Sequence, residues 1–362
     1  MKQRIILCLS IVITMHSCNQ SNDGPPKHLF DPPDRGQEQN QKAGILKFVK
    51  QDLIDNEGTG MVASTYLVPS GWNVKDRLFW EFNDATVPIR YKGIMQKGDG
   101  TMAIQVFADE RAVWSTGPSG TSGKRPPSDI LSALKELINN ERSGMNVRYV
   151  EQKVIGSDKR QTQYGTQYYQ AAVVRIEYEE NGQTYEEEFY GNLDMTDAVT
   201  PSAYGNMESQ VWQFGNRYSS KALKGKLDEC RNIAQTVRSS TRVTLPFFNS
   251  LLQVIKLLSD QVYWQIYQAG QISKIISATN DQMIANIDAT YKAAQESNDR
   301  INNQFSDYMR GVDRYSDNST QIQLPSGYDN AWVNDRGEYL LTNTPGYQPT
   351  NDEGNWKPLQ KN

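Results

Sequence analysis

The spacing of apolar residues changes character several times along the chain. Ile5 to Ile13 is one short apolar run, interrupted only by Ser10, behind Lys2 and Arg4. At about nine residues it is too short to span a bilayer and has the shape of a signal-peptide core. From about Gly60 the apolar positions come in brief runs, M-V-A-S-T-Y-L-V-P, R-L-F-W-E-F, T-V-P-I-R-Y-K-G-I-M and T-M-A-I-Q-V-F-A. Pro-Ser-Gly, Asn-Asp and Gly-Asp-Gly separate them, so the pattern predicts strands joined by turns. At Ser128 the period lengthens. Ile130, Leu131, Leu134, Leu137 and Ile138 share one helical face, which predicts a helix over 128–143. Ser128 would cap it, Asp129 suits its first turn and Gly144 ends it.

The sharpest local signal is V-V-R-I-E-Y-E-E-N-G-Q-T-Y-E-E-E-F-Y. Asn181-Gly182 is a preferred two-residue hairpin turn. It sets Tyr178 opposite Tyr185, Ile176 opposite Glu187 and Val174 opposite Phe189 on one face. The other face pairs Glu179 with Thr184, Glu177 with Glu186 and Arg175 with Glu188. One side is apolar except for Glu187 and the other is charged, so a sheet burying a single face is expected, the charged face lying in solvent. Glu187 would then sit at the rim or meet a buried partner.

A further helix is expected over 221–240, and Pro246 opens a longer one running to about Gly311. Unbroken, that helix would measure about 100 Å, so a hairpin bent near Gly270, or a coiled coil with another subunit, is expected to cover its apolar stripe. The tail returns to turns and strands, with Trp332, Tyr339 and Leu341 as a small cluster around an Asn334–Gly337 turn. The fold class expected is therefore α+β: an antiparallel sheet with flanking helices, then a long helical hairpin and a small β tail. The divisions are 1–17 (leader), 18–45 (tether), 58–240 (α+β), 246–311 (helical) and 318–362 (β tail).

Met15-His16-Ser17-Cys18, a small residue before a cysteine at the end of a signal core, resembles the lipobox of bacterial lipoproteins. Met15 stands where the family usually has Leu, and His16 where it has a small residue. The resemblance implies acylation of Cys18 and cleavage before it. Asn follows Cys18 rather than Asp, which by the family's sorting rules implies the outer membrane, on its periplasmic face or at the cell surface. Residues 18–45, rich in Pro, Gly, Asn and Gln, cannot bury enough apolar area to offset their ordering entropy. At roughly 3 Å per residue they could reach about 80 Å as a tether. Y-L-V-P-S-G-W followed by L-F-W-E-F resembles bacterial PsbP-like α/β domains, which implies a binding or assembly module. L-P-S-G-Y-D-N-A-W-V-N-D-R-G-E-Y-L-L-T-N resembles a segment closing many uncharacterised secreted bacterial proteins. Neither resemblance supplies a catalytic motif.

Charge and composition narrow the chemistry. Net charge is −4, and −6 once Lys2 and Arg4 leave with the leader. That balance, with no basic patch carrying interleaved aromatics, argues against nucleic acid as a partner. Of three cysteines, Cys8 leaves and Cys18 carries lipid, so Cys230 has no partner for an intramolecular disulfide and reads as a buried helical thiol. His16 and His28 are the only histidines, so the body after the tether lacks triads and histidine-based zinc sites.

W-S-T-G-P-S-G-T-S-G-K-R-P-P-S (114–128) mimics a phosphate loop. Its glycine spacing is wrong, Arg125 follows Lys124 where a hydroxyl is needed, and Pro126 and Pro127 delay the helix. It reads as a flexible connection.

The remaining candidate site residues are Glu177 and Glu186, which could share a hard cation, and the tyrosines of the hairpin region, among them Tyr164, Tyr168, Tyr169, Tyr178 and Tyr185. No cofactor or metal is expected. The expected function is an outer-membrane-anchored lipoprotein that binds or scaffolds without catalysis, with an envelope protein as a candidate partner for the helices of 247–310. The alternatives are a carboxylate-dependent envelope glycoside hydrolase and a glycan or small-ligand receptor.

Overall fold

The computed structural model describes residues 44–82, 87–117, 120–162, 165–202, 205–259, 290–296, 299, 311–317, 320–350 and 354–361. Seven strands come first: β1 (Ile45–Ile54), β2 (Val62–Pro69), β3 (Trp72–Trp80), β4 (Ile89–Lys97), β5 (Met102–Val106), β6 (Glu110–Gly117) and β7 (Gly120–Gly123). They precede helix α1 (Ile130–Glu141). Four long strands follow, β8 (Arg148–Thr162), β9 (Gly165–Glu180), β10 (Gln183–Ser202) and β11 (Gly205–Leu223). Next come α2 (Leu227–Ser240), β12 (Arg242–Val243) and α3 (Leu245–Ser259). The tail holds β13 (Val312–Asp317), β14 (Thr320–Pro325), β15 (Asn330–Val333), β16 (Tyr339–Thr342), β17 (Lys357–Pro358) and β18 (Gln360–Lys361).

Within the described residues the chain divides into two compact units. One takes residues up to Ser70, Arg77–Arg90 and those from Asn232 onward; the other takes Gly71–Asp76 and Tyr91–Arg231. In the first unit a sheet runs β12-β2-β1-β16-β15-β17, and β14-β13-β18 form a small second sheet. The tail does not stand apart, because β16 pairs with β1 from Ile45↔Thr342 to Phe48↔Tyr339. β1 starts at Ile45, the last residue of the expected tether, and occupies the stretch between that tether and the α+β division; Phe48 and Leu53 are its buried residues. Val254 and Leu258 of α3 pack with Trp80 and Phe82.

The second unit is built on the sheet β3-β4-β5-β11-β10-β9-β8, to which β6 and β7 attach beside β11. The hairpin register follows the Asn-Gly reading at every pair, including Tyr185↔Tyr178, Glu187↔Ile176 and Glu188↔Arg175. Asn181 (φ 52°) and Gly182 (φ 75°) both adopt the left-handed backbone that such a turn demands. Ile130, Leu134, Leu137 and Ile138 of α1 lie over Ala172, Val174, Ile176 and Phe189 of the sheet, forming the main core. Gly191 makes room for the Phe214 ring of β11, since a Cβ there would stand 2.5 Å from it, while Leu134 of α1 would lie at an ordinary 3.5 Å.

Four expectations are corrected. Among the described residues the fold is predominantly β, in three sheets with short helices, rather than the α+β arrangement expected, and they hold no long helical hairpin. Among the described residues the longest helix, α3, has 15 residues. Of the 246–311 stretch, residues 260–289 and most of 297–310 lie outside the described residues. Lys221–Leu223 belong to β11, so α2 begins only at Leu227, past the turn at Gly225. Asp129 rather than Ser128 caps α1, its carboxylate accepting from the Ser132 amide at 2.8 Å. The charged face of the hairpin is only partly solvated: Glu188 is fully buried and Glu177 nearly so, while Glu179 near the turn is exposed.

Candidate functional site

Glu187 and Glu188 are successive residues of β10, so the pleat sends them to opposite faces of the sheet. Both are 0% exposed. Glu187 points under α1, where Arg142, the residue closing that helix, reaches it with Nε at 2.7 Å and Nη2 at 2.5 Å. The Tyr178 hydroxyl donates to the same carboxylate at 2.9 Å and the Ser219 hydroxyl at 2.6 Å. This is a bidentate, charge-assisted arrangement with extra donors, the geometry that offsets desolvation. Burial and the Glu187 charge push the Tyr178 hydroxyl well above its usual range. The Arg142 guanidinium also stacks 5.5 Å from the Phe189 ring centroid.

Glu188 is held more loosely. Arg231 Nη1 lies 3.3 Å from each oxygen and Arg175 Nε at 3.6 Å, while the Tyr190 hydroxyl donates directly. Ser220 Oγ, also fully buried, has no hydrogen-bond partner. Desolvation dominates over the two arginines and raises the Glu188 carboxyl above its ordinary value.

The cross-strand pair Glu177 and Glu186 is relieved by the protein's own groups. Glu177 is ion-paired with Arg148 and, at 3.2 Å, Lys224, and the Arg148 hydrogen bond holds its carboxyl below the usual range. Glu186 accepts from the Gly225 amide at 2.9 Å. The tyrosines do not form one face. Tyr178 and Tyr185 are buried and stacked 6.2 Å apart, with Lys221 over both rings. Tyr168 and Tyr169, as neighbours on β9, are half-buried on opposite sides, and Lys159 covers the Tyr168 ring at 5.0 Å. Tyr164 and the lipidation candidate Cys18 lie outside the described residues. Cys230 is fully buried, and burial pushes its thiol up to about 12, so it is inert as a nucleophile. Among the described residues no group of three or more His, Cys, Asp or Glu side chains could hold a metal ion.

Sequence reasoning missed a recess of about 160 Å³ formed by the stretch that mimics a phosphate loop. Residues 114–123 are not a flexible connection: β6 and β7 pair from Trp114↔Gly123 to Gly117↔Gly120. The chain beyond them, Lys124–Pro127, forms one wall, and α1 supplies Ala133, Glu136, Leu137 and Asn140. Trp212, Phe214 and Arg217 of β11 line the base with Glu110. The Trp212 indole donates to the Lys124 carbonyl at 2.9 Å, which ties the wall to the sheet. Lys124 Nζ stands 5.6 Å from the Trp212 ring centroid, and the Arg217 guanidinium 5.0 Å from that of Phe214. Glu110 bridges the two cations, its Oε1 paired with Lys124 and its Oε2 3.6 Å from Arg217. The four-residue run Gly-Lys-Arg-Pro hinted at cations in a turn, but nothing local announced that β11 would meet it.

No family model matches the chain, and no curated protein matches it. Among solved structures it is similar to LpqN, involved in cell envelope biogenesis of Mycobacterium tuberculosis. That match has 12% identity over 54% of this chain and 91% of that one, with a TM-score of 0.20. It is also similar to the di-domain ARO/CYC StfQ from the steffimycin biosynthetic pathway, at 10% identity over 66% and 89%, with a TM-score of 0.08. Likenesses of this size carry no argument about fold or activity. Among the described residues no helix is long and apolar enough to cross a membrane.

Proposed function

We propose that this chain is an outer-membrane lipoprotein, anchored through Cys18, whose body works by binding rather than by catalysis. The anchor rests on the apolar run, Ser17-Cys18 and the polar segment that follows; several acyl chains on one cysteine give stable attachment. The observation that carries the binding reading is the state of the carboxylates. Glu177, Glu187 and Glu188, the carboxylates clustered on the central hairpin, are each engaged by arginine or lysine of the same unit. A hydrolase requires instead two carboxylates facing each other across an open cleft. The recess beside Trp212 offers cations and apolar walls, which suits recognition of a ligand or a partner's side chain.

Metabolic labelling with a fatty-acid probe tests the anchor. Label is expected on the wild-type protein and on none of a Cys18→Ala form, which leaves the membrane fraction. An unlabelled wild type, or an alanine form that stays in the membrane, removes the proposal. Turnover of any glycan that is abolished by Glu187→Gln without loss of folding would replace binding with catalysis.

A further inference from the structure

We propose that the recess between Lys124–Pro127, α1 and β11 is a carboxylate-binding site, taking a small organic acid with an apolar body, and that Glu110 occupies its anion position from within. The biological setting rests on the binding reading above; the chemistry rests on the recess alone.

The argument starts from Glu110. Its two oxygens are divided between two cations on different elements, Lys124 after β7 and Arg217 on β11. The site is thus already shaped for one carboxylate approached from two sides. Neither contact is the tight bidentate pairing that locks a buried structural carboxylate, because Arg217 stands at 3.6 Å, and the Lys124 and Glu110 side chains are 57% and 35% exposed. An exposed pair such as Lys124–Glu110 is worth about 0–1 kcal/mol, so an external anion has little to displace there. Arg125 adds a third positive charge to the rim against Glu136, so the recess is locally cationic on an acidic chain. A cation-lined concavity concentrates anions even when net charge is negative.

Size and walls set the ligand class. About 160 Å³ is below the usual range for a drug-sized ligand, so the recess holds a small molecule. Pro126, Pro127 and Leu137 give it an apolar side. The Trp212 indole is committed to the Lys124 carbonyl, which keeps the cation wall in place while the anion position changes occupant. A carboxylate is favoured over a phosphate dianion because the present occupant is a carboxylate and only two cations converge on it.

The experiment is calorimetric titration of the full-length chain with 3-phenylpropanoate, with 3-phenylpropanol as the uncharged control. Glu110→Gln removes the internal competitor while keeping its shape, so 3-phenylpropanoate is expected to bind this variant about tenfold tighter than wild type. Lys124→Ala in the Glu110→Gln background is expected to lose about tenfold again, and Lys124 is exposed enough for the variant to fold. The alcohol is expected to bind none of them measurably. Equal affinity of wild type and Glu110→Gln, or equal binding of acid and alcohol, overturns the site. Inorganic phosphate binding tighter than the acid overturns the ligand class. None of these results touches the anchor, which the fatty-acid labelling reads separately.

Discussion

Glu187 and Glu188 differ by one residue and by which side of a sheet they occupy, and they have opposite energetics. Glu187 meets a guanidinium fork presented by the end of a helix, plus two hydroxyls, all within 2.9 Å. Glu188 meets two arginines at 3.3 Å or more and one hydroxyl, beside an unsatisfied serine. Burial is the same; the number and closeness of donors is not. A buried carboxylate is a fastening when its partners are delivered by a rigid element, and a burden when they only stand near.

Removing the fork should break the contrast most severely. Arg142→Met leaves Glu187 buried without a cation, and a loss of about 3–5 kcal/mol is expected in urea unfolding. A loss under about 1 kcal/mol would mean that the two carboxylates are equivalent after all. Gly191→Ala tests whether the seating of α1 matters to the fork. The new methyl meets the Phe214 ring, so about 1–3 kcal/mol should be lost, and the variant should depend less on Arg142 than wild type does in a double-mutant cycle.

Glu188→Gln should do little harm. The folded carboxyl is raised above its ordinary value of 4.5, so ionising it costs stability as pH rises past that value and costs nothing below it. Unfolding at pH 7 should show the glutamine form unchanged or up to about 1 kcal/mol more stable, with the difference gone near pH 4. A clear destabilisation at pH 7 would show that Arg175 and Arg231 need the charge. The smallest effect belongs to the far end of α1. Asp129→Ala removes the cap and should cost about 0.5–1 kcal/mol. Because the Ser132 amide holds the Asp129 carboxyl below its usual 3.8, that cost should be present at neutral pH and shrink as acid protonates the carboxylate.

How far the chain itself disclosed this depends on distance along it. The hairpin register was legible because Asn181-Gly182 determines every later pair through a two-residue turn. The helix at 130–141 was legible from its apolar face. The oddness of Glu187 was visible as one charge on an apolar side, though its partner, 45 positions earlier, was not. The covering of the charged face was hidden, because Arg231 and Glu188 are 43 residues apart and alternating Glu on a strand looks the same wet or dry. β11 was misread near Lys221 since K-A-L-K-G-K-L suits a helix start as well as a strand end, and only Gly225 marked the change. The recess was hidden for the same reason: Trp212 and Lys124 are 88 residues apart and meet through a main-chain carbonyl.

The position of β1 has a mechanical consequence. The strand lies between β2 and β16 and is paired with both. Under the proposed Cys18 anchor, a pull would enter at Ile45 and load the ladder to Leu341 and its neighbours together with the ladder to β2. Rungs loaded in shear share the force, so the body should stay folded under tension that would peel an edge strand away, and cutting the chain before Tyr339 should remove four of the eleven cross-strand pairs that hold β1.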